Sequence, residues 1–252
     1  MYDIQKASLL KRISAFLLDF ILMTIAVTGF ALLLSTVLGY DNYAGALTEK
    51  REYYEATYEV DFDIKKEDYD ALSEEDRKVI DDAYAIYMKD TDVIFNYNML
   101  FNLMLIIASM SLVLSFLLLE FVVPLLLKNG QTVGKKIFAI GVVHLNSVRI
   151  TSVALFARSI LGKCVLELMV PLIVIATMLF GSGGPVGLLV LGLILLLELF
   201  CFFKEGKFTL IHDVLSHTVA VDLATQMIFD TPDDMIAYKT RIHAEDAASQ
   251  SY

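Results

Sequence analysis

Four long runs of apolar and mostly uncharged residues constrain the fold of this chain more than any other feature. They cover Ile13–Leu38, Met99–Leu127, Leu161–Phe180 and Val186–Phe203. A helix that crosses a bilayer needs about 20 mostly apolar residues to cover roughly 30 Å of hydrocarbon. Three runs reach that length, and the fourth, with 18 residues, lies at the short end of the range. The runs predict an all-α integral membrane protein with four transmembrane helices.

Composition and the position of the first run agree with that class. With 57% hydrophobic residues and a mean hydropathy of +0.63, the chain is too apolar for an ordinary soluble protein of 252 residues. The first run is longer than the apolar stretch of about 7–15 residues in a signal peptide, and Leu38-Gly39-Tyr40 is a poor cleavage site. We therefore expect it to remain as the first span.

The net charge of −10 comes from one segment between the first two spans. Residues 41–98 carry 17 acidic and 7 basic side chains, whereas the rest of the chain carries 13 of each. Such acidity argues against nucleic acid as a partner and favours solubility or attraction of cations. The segment is predicted to be an acidic module with its own structure.

Helix signals in the module predict a helical hairpin. Ser73 followed by three acidic residues is typical of a helix N-terminus. Tyr84 and Tyr87 behind it have the spacing of one helix face, and Tyr54 and Tyr58 form a matching stripe on an earlier helix. Tyrosines with carboxylates could form a cage for a cationic ligand. Ordinary packing of two amphipathic helices gives the same stripes, and both interpretations stay open.

The distribution of basic residues predicts the topology. Lysines and arginines cluster before the first span, between the second and third, and after the fourth: Lys6, Lys11, Arg12, Lys128, Lys135, Lys136, Arg149, Arg158, Lys163, Lys204 and Lys207. The connection 181–185 has no charge. Because an excess of Lys and Arg marks the cytoplasmic side, we expect a multi-pass protein of the cell membrane with both termini cytoplasmic and the acidic module external.

Short β-branched runs lie between the second and third spans. Ala139–His144 and Val148–Thr151 flank a turn and predict a small cytoplasmic β-hairpin. Gly130–Lys136 just before it resembles a phosphate loop, but its glycines are one residue too close and it follows a membrane helix. We reject a nucleotide site there.

The predicted organisation has four parts. They are residues 1–40 with the first span, 41–98 with the acidic module, 99–222 with the other three spans and the β-hairpin, and 223–252 as a cytoplasmic tail. In the tail, Thr231 followed by Pro232 and two aspartates is typical of a helix start. A helix to about Ala248 is expected.

Charged residues inside the spans are the candidate functional residues. The proposed intramembrane polar network consists of Arg12, Asp19, Glu120, Arg158, Glu167, Glu198 and Asp213. Each span contributes one carboxylate about five to seven residues from its cytoplasmic end, or about 8–10 Å deep at 1.5 Å per residue. Charges in spans are costly and usually face a partner or a water cavity. The four carboxylates are predicted to form one layer.

Two interpretations of the layer remain open. Polar residues act as glue between helices, so the network can be a set of ion pairs that fixes helix order. Alternatively, crowded carboxylates can exchange protons for cations. Arg12 and Asp19 are two turns apart, too far for a direct pair, so each is expected to meet another helix. His212 and His217 flank Asp213, but their spacing places them on different helix faces and argues for hydrogen bonding or solvation over a metal site.

Four of these motifs, in this order, resemble the RDD family, which is named for one arginine and two aspartates. Arg12–Asp19 resembles its opening, Gly134–Ile137 with Val142-Val143 its cytoplasmic hairpin, and Arg158 the arginine that usually opens the next helix. His212-Asp213 followed by Thr218-Val219 resembles the closing motif and supplies the second aspartate. The resemblance omits 41–98, a larger insertion than the family usually carries. It implies a membrane protein for which transport, including cation/proton exchange, is suggested.

The sequence thus favours a transport-related membrane protein, with Asp19 and Glu120 as ligands for a proton or a monovalent cation and Arg12 and Asp213 orienting them. The alternative is a non-transporting membrane scaffold or assembly partner. No nucleophile–base pair, metal motif or cofactor loop points to an enzyme, so no catalytic, cofactor-binding or metal-binding residue is predicted. Besides the lipid bilayer, a second copy or another membrane protein is the expected partner, because four helices leave little room for a pathway.

Overall fold

The computed structural model describes residues 4–127, 129–179, 184–203 and 210–249. Four helical segments within these residues are long and apolar enough to cross a membrane: Leu9–Val37, Thr91–Leu126, Ser152–Met178 and Gly184–Cys201. The four predicted spans are therefore confirmed as helices. The chain is mostly helical with a small two-stranded sheet.

The elements follow one another along the chain as follows. The first half holds α1 (Leu9–Val37), α2 (Tyr40–Tyr58), α3 (Lys66–Ala71), α4 (Glu74–Tyr87), α5 (Thr91–Phe116), the π-helix π1 (Leu117–Val122) and α6 (Val123–Leu126). The second half holds α7 (Val133–Ile137), β1 (Ile140–His144), α8 (Ser152–Phe156), the π-helix π2 (Ala157–Met169), α9 (Val170–Leu179), α10 (Gly184–Phe203), α11 (Ile211–Leu215), β2 (Thr218–Asp222) and α12 (Pro232–Ser249). The second span is thus α5, π1 and α6 in sequence, and the third is α8, π2 and α9.

The first three spans are longer than the apolar runs that predicted them. The third begins at Ser152 instead of Leu161, because the Thr151 side chain caps it by accepting from the Ala154 backbone N–H at 3.3 Å. The second begins at Thr91 instead of Met99. Phe180, which ends the third run, most of the uncharged connection 181–185, and the basic residues Lys128, Lys204 and Lys207 lie outside the described residues.

The chain divides into two compact units, Ala26–Leu114 and a second one made of Met1–Ile25 with Ser115–Tyr252. In the first, α2 and α4 pack against each other as a helical hairpin, as predicted. Tyr54 stacks on Tyr58 with ring centroids 6.3 Å apart and meets Tyr87 edge-on at 5.7 Å. The tyrosine stripes therefore pack the two helices together, as amphipathic helices do.

Capping and ion pairs complete this hairpin. The Ser73 hydroxyl accepts from the Asp76 backbone N–H at 3.1 Å and caps α4, which confirms the predicted helix start. Lys50 on α2 lies 3.1 Å from the Asp90 carboxylate, to which the Tyr54 hydroxyl also donates at 3.0 Å. The Lys50 hydrogen bond lowers the pKa of Asp90, so this carboxylate stays charged. The end of α2 is held to the start of α5 in this way.

The sheet lies in the other unit, and its strand pairing differs from the prediction. β1 forms where it was expected, but its antiparallel ladder runs to β2, from Ile140 opposite Asp222 to His144 opposite Thr218. Residues 148–151 contribute two isolated bridges, from Arg149 to Val143 and from Val148 to Phe229, instead of the second strand of a hairpin. The predicted hairpin was wrong in its partner because the alternating run at β2, far along the chain, offers a longer and more buried pairing.

The two faces of the sheet are both covered. Ile140 and Ala220 on one face pack on Ala15 of α1. Val142 on the same face packs with Phe121 of π1 and with the start of the third span. The opposite face carries Val143, Val219 and Val221, which are fully buried. β2 is also bonded along its free edge, where Ala7 donates to the Ala220 carbonyl at 3.2 Å. The sheet therefore ties the start of the first span to the second and third spans.

The last element, α12, begins as predicted. Thr231 accepts from the Asp234 backbone N–H at 3.2 Å, and Pro232 occupies the first helical position. The helix runs to Ser249, close to the expected end near Ala248.

Candidate functional site

The winding of the third span brings three charged residues onto one face. Arg158, Lys163 and Glu167 all lie in the π-helix π2. In an α-helix of about 3.6 residues per turn, positions nine apart such as 158 and 167 point to opposite sides. In a π-helix each turn takes more than four residues, so nine residues make about two turns. The three side chains therefore share a face, which the polar network uses.

Arg158 forms the most buried ion pair of the network. Its guanidinium donates to the Asp213 carboxylate, and the two side chains are only 4% and 5% exposed. The same Nη1 donates to the Thr218 hydroxyl of β2 at 2.7 Å. Arg12 of α1 reaches the same strand and donates to the Ala220 carbonyl at 2.9 Å. Both arginines are thereby joined to the strand that follows Asp213.

A second ion pair joins the second and third spans. The Lys163 ammonium lies 2.5 Å from the Glu120 carboxylate, with 18% and 14% of the side chains exposed. Glu120 itself lies in π1, so both partners come from π-wound segments. Burial makes such a pair costly to break, because the remaining charge would stay desolvated.

Asp19 of α1 is held by α7 and not by a cation. Its carboxylate accepts from the Thr132 hydroxyl at 2.5 Å and from the Gly134 backbone N–H at 2.7 Å. The contact requires glycine, because a Cβ at residue 134 would lie 2.3 Å from the Ala15 carbonyl oxygen. Asp19 therefore anchors the segment after the second span onto the first span.

The carboxyl groups of Glu167 and Glu198 meet each other. Consecutive backbone N–H groups of α11 donate to them, that of His212 to Glu167 at 3.0 Å and that of Ile211 to Glu198 at 3.4 Å. α11 thereby joins the third span to the fourth and places the two carboxyl groups side by side. Two carboxyl groups held next to each other can share one proton, because like charges at close range disfavour ionisation of both.

His212 of α11 completes the surroundings of Glu167. Its backbone N–H lies 3.0 Å and its ring Nδ1 2.7 Å from Glu167 Oε1. Burial, followed by the positive charges of Arg158 and Lys163, lowers the pKa of His212 well below its usual range. The imidazole is therefore neutral, and its contact with Glu167 is a hydrogen bond instead of an ion pair, with the donor set by the tautomer of the ring. α11 can approach this closely because residue 162 is glycine, where a Cβ would lie 2.5 Å from the His212 Cβ.

The predicted single layer of carboxylates becomes three linked clusters. Glu167 and Glu198 accept from consecutive backbone N–H groups of α11, Glu120 is paired with Lys163, and Asp19 is bound by α7. Lys163 lies between the first two clusters, four residues from Glu167 on the same helix. As expected from their separation, Arg12 and Asp19 meet groups on other elements instead of each other.

Several residues of the site lie in motifs for which the sequence predicted a different role. Thr132, Gly134 and Lys135 belong to the segment that resembles a phosphate loop, and Gly134 and Lys135 also belong to the stretch that resembles the RDD cytoplasmic hairpin. His212 was expected to be solvated or hydrogen bonded, and it is buried and hydrogen bonded. Within the described parts of the chain, no group of three or more His, Cys, Asp or Glu side chains is arranged to hold a metal ion.

The apolar helices and the polar network buried among them define a membrane protein with several spans. The family model of the RDD family matches residues 6–217, which includes the network from Arg12 to Asp213. The chain therefore belongs to the RDD family. Searches of curated proteins and of solved structures found no significant match.

Proposed function

We propose that this protein exchanges protons for a monovalent cation across the cell membrane, and that the Glu167–Glu198 carboxyl pair binds the proton. The observation that carries the proposal is the adjacency of these two carboxyl groups on neighbouring spans, which accept from the consecutive backbone N–H groups of His212 and Ile211. A carboxyl pair that shares a proton becomes doubly negative when the proton leaves, and it then attracts a cation. Binding of proton and cation would thus exclude each other at one place.

This assignment moves the proton-binding role away from Asp19 and Glu120. Glu120 is neutralised by Lys163, and Asp19 is engaged by two hydrogen-bond donors on α7. We propose that these two carboxylates hold the spans together, while the Glu167–Glu198 pair binds the proton.

The test is proton flux in vesicles that contain the purified protein. Glu167→Gln keeps the shape and can still accept from the His212 backbone, but it cannot ionise. We expect cation-dependent proton flux to be lost while thermal stability changes little. Glu245→Gln, on the exposed face of α12, is the matched control and should keep full flux. Flux that survives Glu167→Gln, or a parent protein without flux, would contradict the proposal.

A second candidate is a non-transporting scaffold or assembly partner. The observation that favours it is the completeness of the ion pairs Arg158–Asp213 and Lys163–Glu120, which resembles structural glue. In this candidate the acidic module or the tail recruits another protein. The two candidates differ in the parent protein, since a scaffold shows no flux. We propose no enzymatic role.

The proposal includes an orientation, with both termini in the cytoplasm and the acidic module outside, because basic residues cluster near the termini and between the second and third spans. Glu75→Cys and Glu245→Cys, both at exposed positions, should label from opposite sides of the membrane. Labelling of both positions from outside would overturn the orientation. We also propose a homo-oligomer, which native mass spectrometry of the purified protein can test.

A further inference from the structure

His212 of α11 lies between two carboxyl groups that belong to different parts of the network. On one side its ring Nδ1 lies 2.7 Å from Glu167 Oε1, and on the other its Nε2 lies 3.8 Å from Asp213 Oδ2. The side chain is only 6% exposed. Through this ring, the Glu167–Glu198 pair is linked to the aspartate that Arg158 binds.

The backbone of His212 is fixed on both sides of the ring. Its N–H donates to Glu167 at 3.0 Å, and its carbonyl accepts from the Ser216 hydroxyl at 2.7 Å. A Cβ at Gly162 would lie 2.5 Å from the His212 Cβ, so π2 packs directly on this residue. Because the ring is also buried, its two nitrogens keep separate neighbours.

The hydrogen bond to Glu167 determines which nitrogen of the ring carries a proton. A neutral imidazole has a single N–H, and the partner of one nitrogen decides where that proton lies. An ionised Glu167 can only accept, so the ring proton then lies on Nδ1 and Nε2 is bare. A protonated Glu167 can donate to Nδ1, and the ring proton then lies on Nε2, which faces Asp213. The tautomer of His212 therefore depends on the charge of Glu167.

We propose that His212 relays protons between water and the Glu167–Glu198 pair, a role that rests on the proposed function in that the pair binds a proton. On uptake, a proton from water forms a new N–H bond at Nε2, and the Nδ1–H bond breaks as its proton passes to Glu167. The ring holds one proton before and after the step, and the carboxyl pair gains one. The charge of the pair thus changes from doubly to singly negative, as exchange of a cation for a proton requires. Release runs through the same bonds in reverse.

The charges around the ring favour a relay over a second positive charge on the imidazole. Both signs act on it from the elements that surround α11: Arg158, Lys163 and Glu167 of π2, Glu198 of α10, Arg12 of α1, Lys135 of α7, and Asp213 of α11 itself. β2, which also packs on α11, brings the uncharged Thr218. Burial, followed by the charge of Arg158, lowers the pKa of His212 well below its usual range, so the doubly protonated ring is disfavoured. A ring that cannot hold two protons must give one up at Nδ1 when it takes one at Nε2.

The first experiment is NMR of the purified full chain in lipid nanodiscs, with isotope-labelled histidine, across a pH series. Chemical shifts of the ring distinguish the two neutral tautomers and the doubly protonated form, and the signals of His212 are those that His212→Asn removes. We expect the Nδ1–H tautomer at high pH and the Nε2–H tautomer at low pH. Glu167→Gln should abolish this change, whereas Glu245→Gln, at an exposed position of α12, should keep it. A single tautomer throughout the series, or a ring that becomes doubly protonated, would overturn the relay.

Proton flux in vesicles then separates the relay from the proposed function. His212→Asn can still form a hydrogen bond with Glu167 but has no second nitrogen to take up a proton. We expect its flux to fall by about a hundredfold or more, as for other positioned acid–base groups, with thermal stability little changed. His217→Asn is the matched control, because this histidine is exposed and asparagine tolerates its φ of 51°.

The outcomes for the two proposals differ. Parental flux in His212→Asn would overturn the relay and leave the carboxyl pair as the proton site. A parent protein without flux would contradict cation/proton exchange, while the tautomer of its His212 still decides whether the ring follows the proton. If His212→Asn fails to fold, the NMR comparison of Glu167→Gln with the parent decides the same question.

Discussion

Lys163 lies 2.5 Å from Glu120 on the second span and one turn from Glu167 on its own helix. A single ammonium group therefore lies between the ion-paired part of the network and the carboxyl pair that we propose binds the proton. Because both neighbours are acidic, the position of this side chain depends on which of them is charged. Substitutions can show which other residues of the network stabilise the fold and which bind a proton.

Asp19 should be structural. Asp19→Asn keeps one acceptor oxygen but cannot accept from both Thr132 and Gly134 in the present geometry. We expect a loss of roughly 1–3 kcal/mol in the free energy of unfolding, measured by chemical denaturation in detergent, with flux per folded molecule retained. Asp41→Asn, at an exposed position, is the control. Full stability with lost flux would instead make Asp19 a proton site.

The Arg158–Asp213 pair should be costly to break but replaceable. Arg158→Met leaves a buried aspartate without its partner and should cost about 3–5 kcal/mol. The double variant Arg158→Met with Asp213→Leu removes both charges and should recover most of that loss. Arg149→Met, which breaks an exposed pair with Asp230, should cost at most about 1 kcal/mol. If the double variant is no better than the single one, the hydrogen bond to Thr218 carries the stability instead.

Gly134 should not tolerate a methyl group. A Cβ at this position would lie 2.3 Å from the Ala15 carbonyl oxygen and 2.9 Å from Asp19, so Gly134→Ala must push α7 away from α1. We expect a loss of roughly 1–3 kcal/mol, as for other overpacked sites. Gly45→Ala in α2 meets nothing within 4 Å and should be neutral or stabilising. Thermal unfolding of both variants makes the comparison, and equal stabilities would contradict the close contact.

Lys135 should make stability depend on pH. Its pKa is about 7 in the folded chain against an ordinary value of 10.5, so between these values the unfolded chain binds more protons. Stability of the parent protein should therefore rise with pH across this window. Lys135→Met removes the effect, and its advantage over the parent in the free energy of unfolding should be largest below pH 7 and shrink towards pH 10.5. Lys136→Met should show no such trend. A difference in the free energy of unfolding between Lys135→Met and the parent that stays constant with pH would contradict a lowered pKa for Lys135.

The number and location of the spans could be predicted because hydropathy reports them directly. The winding of the third span could not, since an apolar run looks the same in an α-helix and in a π-helix. The signal that does exist is the spacing of Arg158, Lys163 and Glu167, five and then four residues apart. In an α-helix these three side chains would point in different directions, so some would face lipid. A charge inside a span rarely faces lipid, and the spacing therefore indicates a different winding.

The pairing of β1 was beyond local reasoning for a related physical reason. Rules for hairpins consider neighbouring runs, and Val148–Thr151 is the nearest one. The true partner, β2, alternates in the same way but lies after two further spans. The partners of the charged residues cannot be predicted from the sequence either, because each pair joins different helices and depends on how those helices pack. Only the presence of candidates such as Lys163 and Asp213 can be read from the sequence.

The position of β2 has a consequence for how the chain is made. This strand binds Ala7, receives a hydrogen bond from Arg12 and holds Arg158 through Thr218. A ribosome delivers it only after all four spans have been synthesised. Until then both arginines lie in newly inserted helices without the strand that binds them in the finished protein. Assembly of the network is therefore post-insertional, and nascent chains arrested before Thr218 should expose these helices to chaperones and membrane proteases.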